Sequence, residues 1–167
     1  MSKAKGRFFG KALEFLKTKK LPEGHLSQIT MKEKEPKCPC GHNKKFTKCC
    51  EPFLKGKDFP NTAEKLMRSR YVAYTKADID YLEKTWAPES RDDFDKDEAM
   101  AWAKESHWKA LKILSRERGG PEDREGIVEF KATYEFQGKT FDHHEVSHFR
   151  RNKEGRWLFV EGEAHTH

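Results

Sequence analysis

The spacing of apolar residues predicts three helices between residues 61 and 106. The first opens at Asn61 or Thr62, since either side chain can cap it, and the second follows Asp78 and ends before Pro88. A third, shorter helix is expected from about Asp97 to Ser106. Each helix has one apolar face, and these faces comprise Ala63, Leu66, Met67, Tyr71, Tyr74 and Ala77, then Ile79, Leu82 and Trp86, then Ala99, Met100, Trp102 and Ala103.

Alternating apolar and polar residues replace this spacing after residue 107. In IVEFKATYEF every second residue from Val128 to Phe136 is apolar, which is typical of a half-buried strand. A strand is predicted before it, at WKALKILSRE, and two more are predicted after it, at TFDHHEVSHFRR and RWLFVEG. Gly138 lies in the turn that leads into the first of these two, and NKEG forms the hairpin between them. Helices followed by a meander predict an α+β fold, with the helices packed on one face of a curved antiparallel sheet.

The composition is that of a folded protein whose core is rich in aromatic residues. Of the 167 residues, 35% are hydrophobic and 37% are charged, and the 12% that are aromatic can bury a large apolar area. No segment approaches the roughly 20 apolar residues that would span a bilayer. The basic N-terminal segment lacks the apolar region and cleavage site of a secretory signal. We therefore expect a cytoplasmic protein.

All four cysteines lie within thirteen positions, in the pattern C-x-C-x8-C-C. Disulfides within each pair would be strained, although two bridges between the pairs remain open. In a reducing cytoplasm, clustered thiols more often bind metal. Four thiolates suit a closed tetrahedral zinc site, in which the ion stabilises a loop that has no core of its own. We therefore predict that Zn²⁺ is bound by Cys38, Cys40, Cys49 and Cys50.

The residues between the cysteines favour such a site. Gly41 and Asn43 tolerate the left-handed backbone conformation that a tight turn around an ion needs. His42 could replace one thiolate, but four sulfurs already complete the coordination shell, so an exposed loop histidine is the simpler interpretation. A zinc ion with four thiolates has a formal double negative charge, which neighbouring lysines can offset: Lys37, Lys44, Lys45 and Lys48.

The segment CPCGHNKKFTKCC resembles the SEC-C zinc motif, known from the C-terminus of the SecA translocation motor, where the same ligand spacing binds zinc and serves protein docking. The following segment, TAEKLMRSRYVAYTKADIDYLEKTWAPESR, is similar to the bacterial YchJ-like family. The resemblance extends from about Cys38 to about Gly162. It implies a zinc knuckle followed by a cone-shaped nuclear transport factor 2-like (SnoaL-like) domain, and it implies no particular activity.

These observations divide the chain into three parts. Residues 1–35 form a basic arm, residues 36–57 the zinc knuckle, and residues 58–167 the cone. Because the cone has its own aromatic residues, we expect it to fold without the metal. An amphipathic helix is predicted in the arm, with a stripe that we expect to dock on the cone, or alternatively on a membrane surface. That stripe consists of Phe8, Phe9, Ala12, Leu13 and Leu16.

Charge is polarised along the chain. Residues 1–57 contain 15 lysines and arginines and 5 acidic residues, a net charge of +10, whereas residues 58–167 contain 19 and 23, a net charge of −4. A polyanion would be drawn to the basic end, whether ribosomal RNA, an acidic protein surface or anionic lipid. A solubilising arm is the alternative, and nothing indicates a reader of DNA sequence. We predict that partners contact Lys44, Lys45 and Lys48.

A cone-shaped domain encloses a pocket between its helices and its sheet, so a small-molecule ligand or a reaction there is the second hypothesis. On a strand, His143, Glu145 and Ser147 share one face, and a His–Glu pair could act in acid–base catalysis. Histidines on a strand face are usually solvated, so we favour partner binding and assign no catalytic residue. The residues expected to line the pocket are Tyr71, Tyr74, Trp86, His107, His143 and Glu145.

Overall fold

The computed structural model describes residues 34–165. The predicted amphipathic helix of the arm lies outside the described residues. Residues 34–165 contain four α-helices: α1 (Glu51–Leu54), α2 (Ala63–Thr75), α3 (Ile79–Lys84) and α4 (Lys96–Glu105). Four strands follow: β1 (His107–Arg118), β2 (Glu125–Phe136), β3 (Lys139–Arg151) and β4 (Trp157–His165).

Polar side chains begin the three longer helices. The Thr62 hydroxyl accepts a hydrogen bond from the backbone N–H of Lys65 at 3.1 Å, and the Asp78 carboxylate accepts one from Tyr81 at 3.1 Å. Asp95 caps α4 in the same way at 3.0 Å. Each cap satisfies an amide that would otherwise lack a partner in the first turn. The helices therefore begin where the sequence predicts, within one or two residues.

The sheet is an antiparallel meander in the order β1-β2-β3-β4. The pairing of β2 with β3 is regular from end to end, and places Phe130 opposite Glu145 and Ala132 opposite His143. Register shifts occur in the pairing of β1 with β2 and of β3 with β4. Helix α2 packs against β1, β2 and β4. This confirms the predicted α+β fold with helices on one face of a curved antiparallel sheet.

The hydrophobic core includes the cysteine loop. Cys40 and Cys50 are 0% and 2% exposed, and belong to the same buried cluster as Leu66 and Leu111. Residues 34–165 thus form one compact unit, in which the predicted boundary between knuckle and cone does not separate two cores. A second cluster lies between α3 and α4 and contains Ile79, Tyr81, Leu82 and Ala99.

Candidate metal centre and cone cavity

The first cysteine pair lies on a tight turn. The backbone N–H of Cys38 donates to the carbonyl of Lys44 at 2.8 Å, which closes the loop behind both cysteines. Gly41 has φ +86°, as the left-handed turn requires, and a Cβ at this position would lie 3.1 Å from the carbonyl oxygen of Leu111. Asn43, the other residue predicted to favour this conformation, does not adopt a positive φ. One left-handed residue is therefore sufficient for the turn.

The second pair lies between two short helical segments. A 3-10 helix, Phe46–Lys48, precedes Cys49, and α1 begins directly after Cys50. The Cys50 carbonyl accepts hydrogen bonds from the N–H groups of Phe53 and Leu54, both at 3.1 Å. These two segments turn the backbone back towards the first pair, so the two cysteine pairs, separated by eight residues in sequence, meet in space.

The four sulfur atoms form a compact group. All of them lie within 4.8 Å of one another, and Cys40 Sγ is 3.5 Å from Cys49 Sγ. None of the four cysteines is in a disulfide. Four sulfurs at the corners of a tetrahedron with metal–sulfur bonds of about 2.3 Å would be separated by about 3.8 Å. The arrangement therefore fits a four-coordinate zinc ion.

The electrostatics of the thiols favour a cation among them. Hydrogen bonds from Cys40 and Cys50 lower the pKa of Cys38 to about 2. Burial, followed by the hydrogen bond with Cys40, raises the pKa of Cys49 to about 12, and the hydrogen bond with Cys38 raises that of Cys50. In the protein alone, one thiolate suppresses ionisation of its neighbours, whereas a divalent cation at the centre would favour all four thiolates.

His42 lies beside the sulfur group, with Nδ1 at 4.0 Å from Cys49 Sγ. It is half-buried, and burial lowers the pKa of its imidazole. The sulfur atoms already supply four ligands, so the position of His42 suits a neighbour of the centre. This geometry agrees with its interpretation as a loop histidine, although it is less exposed than the sequence indicates.

Arg68 of α2 anchors the cysteine loop to the rest of the unit. Its guanidinium donates to the carbonyl of Cys40 and pairs with Glu64 at 3.0 Å. Glu64 also pairs with Arg116 of β1, so helix, strand and loop are joined by one charged network. The Arg68 and Glu64 side chains are only 13% and 17% exposed, which strengthens these contacts relative to those between fully solvated ions.

The three lysines predicted to contact a partner are all exposed. Lys45 is engaged locally, since its ammonium lies 2.8 Å from the carboxylate of Glu35, and the hydrogen bond from Lys45 lowers the pKa of that carboxyl group. Lys44 and Lys48 make no ion pair with any residue between 34 and 165. The structure thus separates two available lysines from one that is already paired.

A cavity of about 120 Å³ lies between α2 and the sheet. Of the residues predicted to line it, five do so: Tyr71, Tyr74, Trp86, His143 and Glu145. The prediction for His107 is wrong, since this residue is exposed at the first position of β1 and Trp108 lines the cavity instead. Successive strand residues point to opposite faces, so a difference of one position decides which of the two faces inwards.

The predicted shared face of His143, Glu145 and Ser147 exists and is hydrogen-bonded. Glu145 accepts from Ser147 at 2.6 Å, and its other oxygen lies 2.7 Å from His143 Nε2. Burial opposes ionisation of Glu145, but the hydrogen bond and charge of His143 outweigh it, and the pKa of the carboxyl group is lowered. His143 and Glu145 are 24% and 18% exposed, so His143 is not the solvated strand histidine that the sequence favoured.

Arg70, which was not among the residues predicted to line the cavity, does line it and is 6% exposed. Its Nη1 donates to the Leu82 carbonyl at 2.8 Å and to Thr85 Oγ1 at 2.6 Å. The guanidinium also lies over the ring of Phe159, 4.6 Å from its centroid. A signal was present: Arg70 follows Met67 by three residues and precedes Tyr74 by four, so it falls on the apolar face of α2.

Two features define the class of this protein: a four-cysteine knuckle, and a cone in which helices cover a curved four-stranded sheet. Comparison with solved structures gives the same class. A SEC-C motif containing protein from Rhodopseudomonas palustris is 42% identical, covers 77% of this chain and 98% of its own, and has a TM-score of 0.69. Another SEC-C motif containing protein, from Psychrobacter arcticus, is 29% identical, covers 78% of this chain and 83% of its own, and has a TM-score of 0.65.

The family follows from the sequence comparisons. The family described as YchJ, middle NTF2-like domain, matches residues 62–162. A UPF0225 protein from Geobacter sulfurreducens is 47% identical over 125 residues, which are 75% of this chain and 77% of that protein. The chain therefore belongs to the YchJ family, as its motifs indicated. Among the residues that the structure describes, no helix has the length and apolarity needed to cross a membrane.

Proposed function

We propose that the protein binds one structural zinc ion through Cys38, Cys40, Cys49 and Cys50, and docks through its knuckle on an acidic macromolecular surface. The observation that carries the proposal is the gathering of four sulfurs within 4.8 Å, three of them on buried residues. A centre with four protein ligands has no open position for a substrate. The ion would therefore stabilise a surface and would not supply a reactive group.

The SEC-C comparisons support the metal, and the charge of the knuckle supports the docking. Residues 1–57 carry a net charge of +10, which a four-thiolate zinc centre would reduce by two. Lys44 and Lys48 are exposed and form no ion pair with residues 34–165, so their ammonium groups are available to a partner. Acidic protein surfaces and ribosomal RNA share the chemistry that these groups recognise.

Metal analysis tests the proposed zinc binding. Protein purified under reducing conditions without chelator should contain one zinc ion per chain. Acid should release it as protons compete for the thiolates. Protein that takes up no zinc under these conditions, even when zinc is supplied during refolding, would contradict the proposed centre.

Sedimentation with purified bacterial ribosomes tests docking on RNA. The double variant Lys44→Glu/Lys48→Glu should bind more weakly and lose about one unit of salt slope per lysine, with its zinc content unchanged. The control is Lys139→Glu/Lys153→Glu, which makes the same charge change at two exposed positions, the first residue of β3 and the turn between β3 and β4. Equal weakening by both variants would reject the knuckle as the contact. Absence of wild-type binding at low salt would leave an acidic protein surface as the partner to test, by the same pair of variants.

A further inference from the structure

The cavity between α2 and the sheet contains a buried cation, Arg70, that makes no direct ion pair with residues 34–165, although its charge interacts at longer range with that of Glu145. Arg70 is 6% exposed, and no carboxylate among residues 34–165 lies within ion-pair distance of its guanidinium. Its contacts are a carbonyl, a hydroxyl and the aromatic faces of Trp86 and Phe159. Taking a charge out of water without an ion-pair partner in direct contact is costly, so a positively charged side chain in this position points to a function.

The hydrogen bonds of Arg70 leave one edge of its guanidinium open. A guanidinium has five N–H donors, and both donors of Nη1 are used, by Leu82 and Thr85. Nε and Nη2 donate to no residue among 34–165. Within residues 34–165, the fully buried side-chain polar atoms without a hydrogen-bond partner belong to Arg91, Ser106 and Trp157. Arg70 Nε and Nη2 are not among them, so these two nitrogens are not fully buried. The free Nε–Nη2 edge presents the two parallel N–H groups that bind a carboxylate in bidentate fashion.

The rest of the cavity determines what the carboxylate can be attached to. Trp86, Trp102, Trp108 and Phe130 contribute flat apolar walls. The other charged group, Glu145, is already hydrogen-bonded to His143 and Ser147, and its negative charge disfavours a second negative charge on the ligand. A cavity of about 120 Å³ admits a ring or a short branched chain, and excludes a nucleotide.

We propose that this cavity binds a small monocarboxylate with a flat apolar body, its carboxylate on the free Nε–Nη2 edge of Arg70 and its body against the tryptophans. The site shares no lining residue with the cysteine centre, since none of them is a cysteine or lies in residues 34–57. Zinc content and benzoate binding are therefore measured separately, and a chain that binds benzoate but no zinc would contradict the metal proposal alone.

Benzoate is the probe, and the full chain as purified is the sample. Saturable binding should be seen by calorimetry and by a change in tryptophan fluorescence, since three of the four tryptophans line the cavity. Benzamide keeps the ring and loses the charge, and acetate keeps the charge and loses the ring. Each should bind at least about tenfold more weakly than benzoate. No saturable benzoate binding, or benzamide binding as tight as benzoate, would overturn the proposal.

Two variants locate the site. Arg70→Lys keeps a positive charge and loses the two-pronged donor edge, so benzoate binding should weaken by about tenfold. Ala132→Leu fills the cavity from the sheet side, since Ala132 lines it and is 2% exposed, and it should abolish binding even if the Arg70 variant does not fold. The matched control is Ala110→Leu at an exposed position of β1, which should bind like the wild type. Undiminished binding by Ala132→Leu would exclude this cavity.

Discussion

Gly41 shows how closely one residue constrains the first cysteine pair. It combines φ +86° with an approach to the Leu111 carbonyl that leaves only 3.1 Å for a Cβ. Gly41→Ala should therefore lower the free energy of unfolding by about 2–3 kcal/mol, from backbone strain plus the displacement of β1. Chemical denaturation monitored by circular dichroism measures this change.

Gly56 is the matched control for that substitution. It has φ +67°, but a Cβ at this position would have no atom within 4 Å, so Gly56→Ala tests the backbone strain alone. We expect a cost of about 1 kcal/mol there. Equal costs at the two positions would mean that contact with β1 does not constrain the cysteine turn.

Two chemically similar groups on the sheet permit a second prediction. Glu145 accepts hydrogen bonds from Ser147 and His143 and faces the cavity, whereas Glu129 accepts from Ser115 and has His144 Nε2 at 2.8 Å. Glu145→Gln removes a buried ionic acceptor and should cost about 1–3 kcal/mol at pH 7. Glu129→Gln should cost less, because solvent can replace the lost acceptor.

The contribution of Glu145 to stability should also depend on pH. The pKa of Glu145 is lowered in the folded protein, so its contribution to stability is complete above the unfolded-state pKa of about 4.3 and disappears as the pH falls through the folded-state value. The difference in stability between wild type and Glu145→Gln should therefore shrink as the pH is lowered below about 4. A difference that stays constant down to pH values where the carboxyl group is protonated would show that the ionised form is not what stabilises the fold.

At this scale the sequence predicts the features that a period of two determines, and misses those that depend on a single position. His143, Glu145 and Ser147 lie at alternate positions of β3 and therefore share a face. The prediction that His107 lines the cavity is wrong because the position at which β1 begins decides which residue faces inwards, and that residue is Trp108. Arg70 was overlooked because charged residues are rarely buried, and its compensation by carbonyl, hydroxyl and ring contacts is visible only in three dimensions.

Among the elements, the cysteine loop and α2 are joined by packing and by charge. Cys40 and Cys50 are buried with Leu66 of α2, and Arg68 of the same helix holds the Cys40 carbonyl. Removing zinc should therefore lower the melting temperature of the whole unit by about 5–10 °C, equivalent to about 2–3 kcal/mol. Tryptophan fluorescence is a suitable measurement, because all four tryptophans lie between residues 86 and 157, outside the loop.

Cys49→Ser supplies the control for metal removal. Cys49 is the least buried of the four cysteines, so its replacement removes a ligand and leaves little empty volume. The variant should melt near the temperature of the chelated wild type and should not respond further to chelator. A tryptophan transition that is the same with and without zinc would support the expectation from the sequence, that the cone folds without the metal.

The sequence predicts the elements better than it predicts their association. Helical spacing and the caps at Thr62 and Asp78 specify α2 and α3, and alternation specifies β2 and β3. Cysteine spacing shows which sulfurs can meet, but contains no information on what else contacts them. The packing of Cys40 against the residues around Leu66 and Leu111 is a long-range relation that no local pattern encodes.

For the molecule as a whole, the separation of charge leads to a further prediction. Residues 1–57 have a net charge of +10 and residues 58–167 have a net charge of −4, so the protein should bind a generic polyanion through residues 1–57. On a heparin column, Lys44→Glu/Lys48→Glu should elute at lower salt than Lys139→Glu/Lys153→Glu, although the two variants have equal net charge. Identical elution would show that net charge, and not the knuckle surface, determines retention.

Given the proposed zinc site, the common core of loop and cone should also affect the lifetime of the protein in a cell. Where zinc is scarce, newly made chains lacking the ion would populate the unfolded state more, and proteases degrade unfolded chains continuously. The burial of Cys40 and Cys50 among cone residues would thus make abundance depend on zinc supply. Pulse-chase measurement in zinc-limited and zinc-replete cultures should give a shorter half-life under limitation for the wild type, and a short half-life in both cultures for Cys49→Ser.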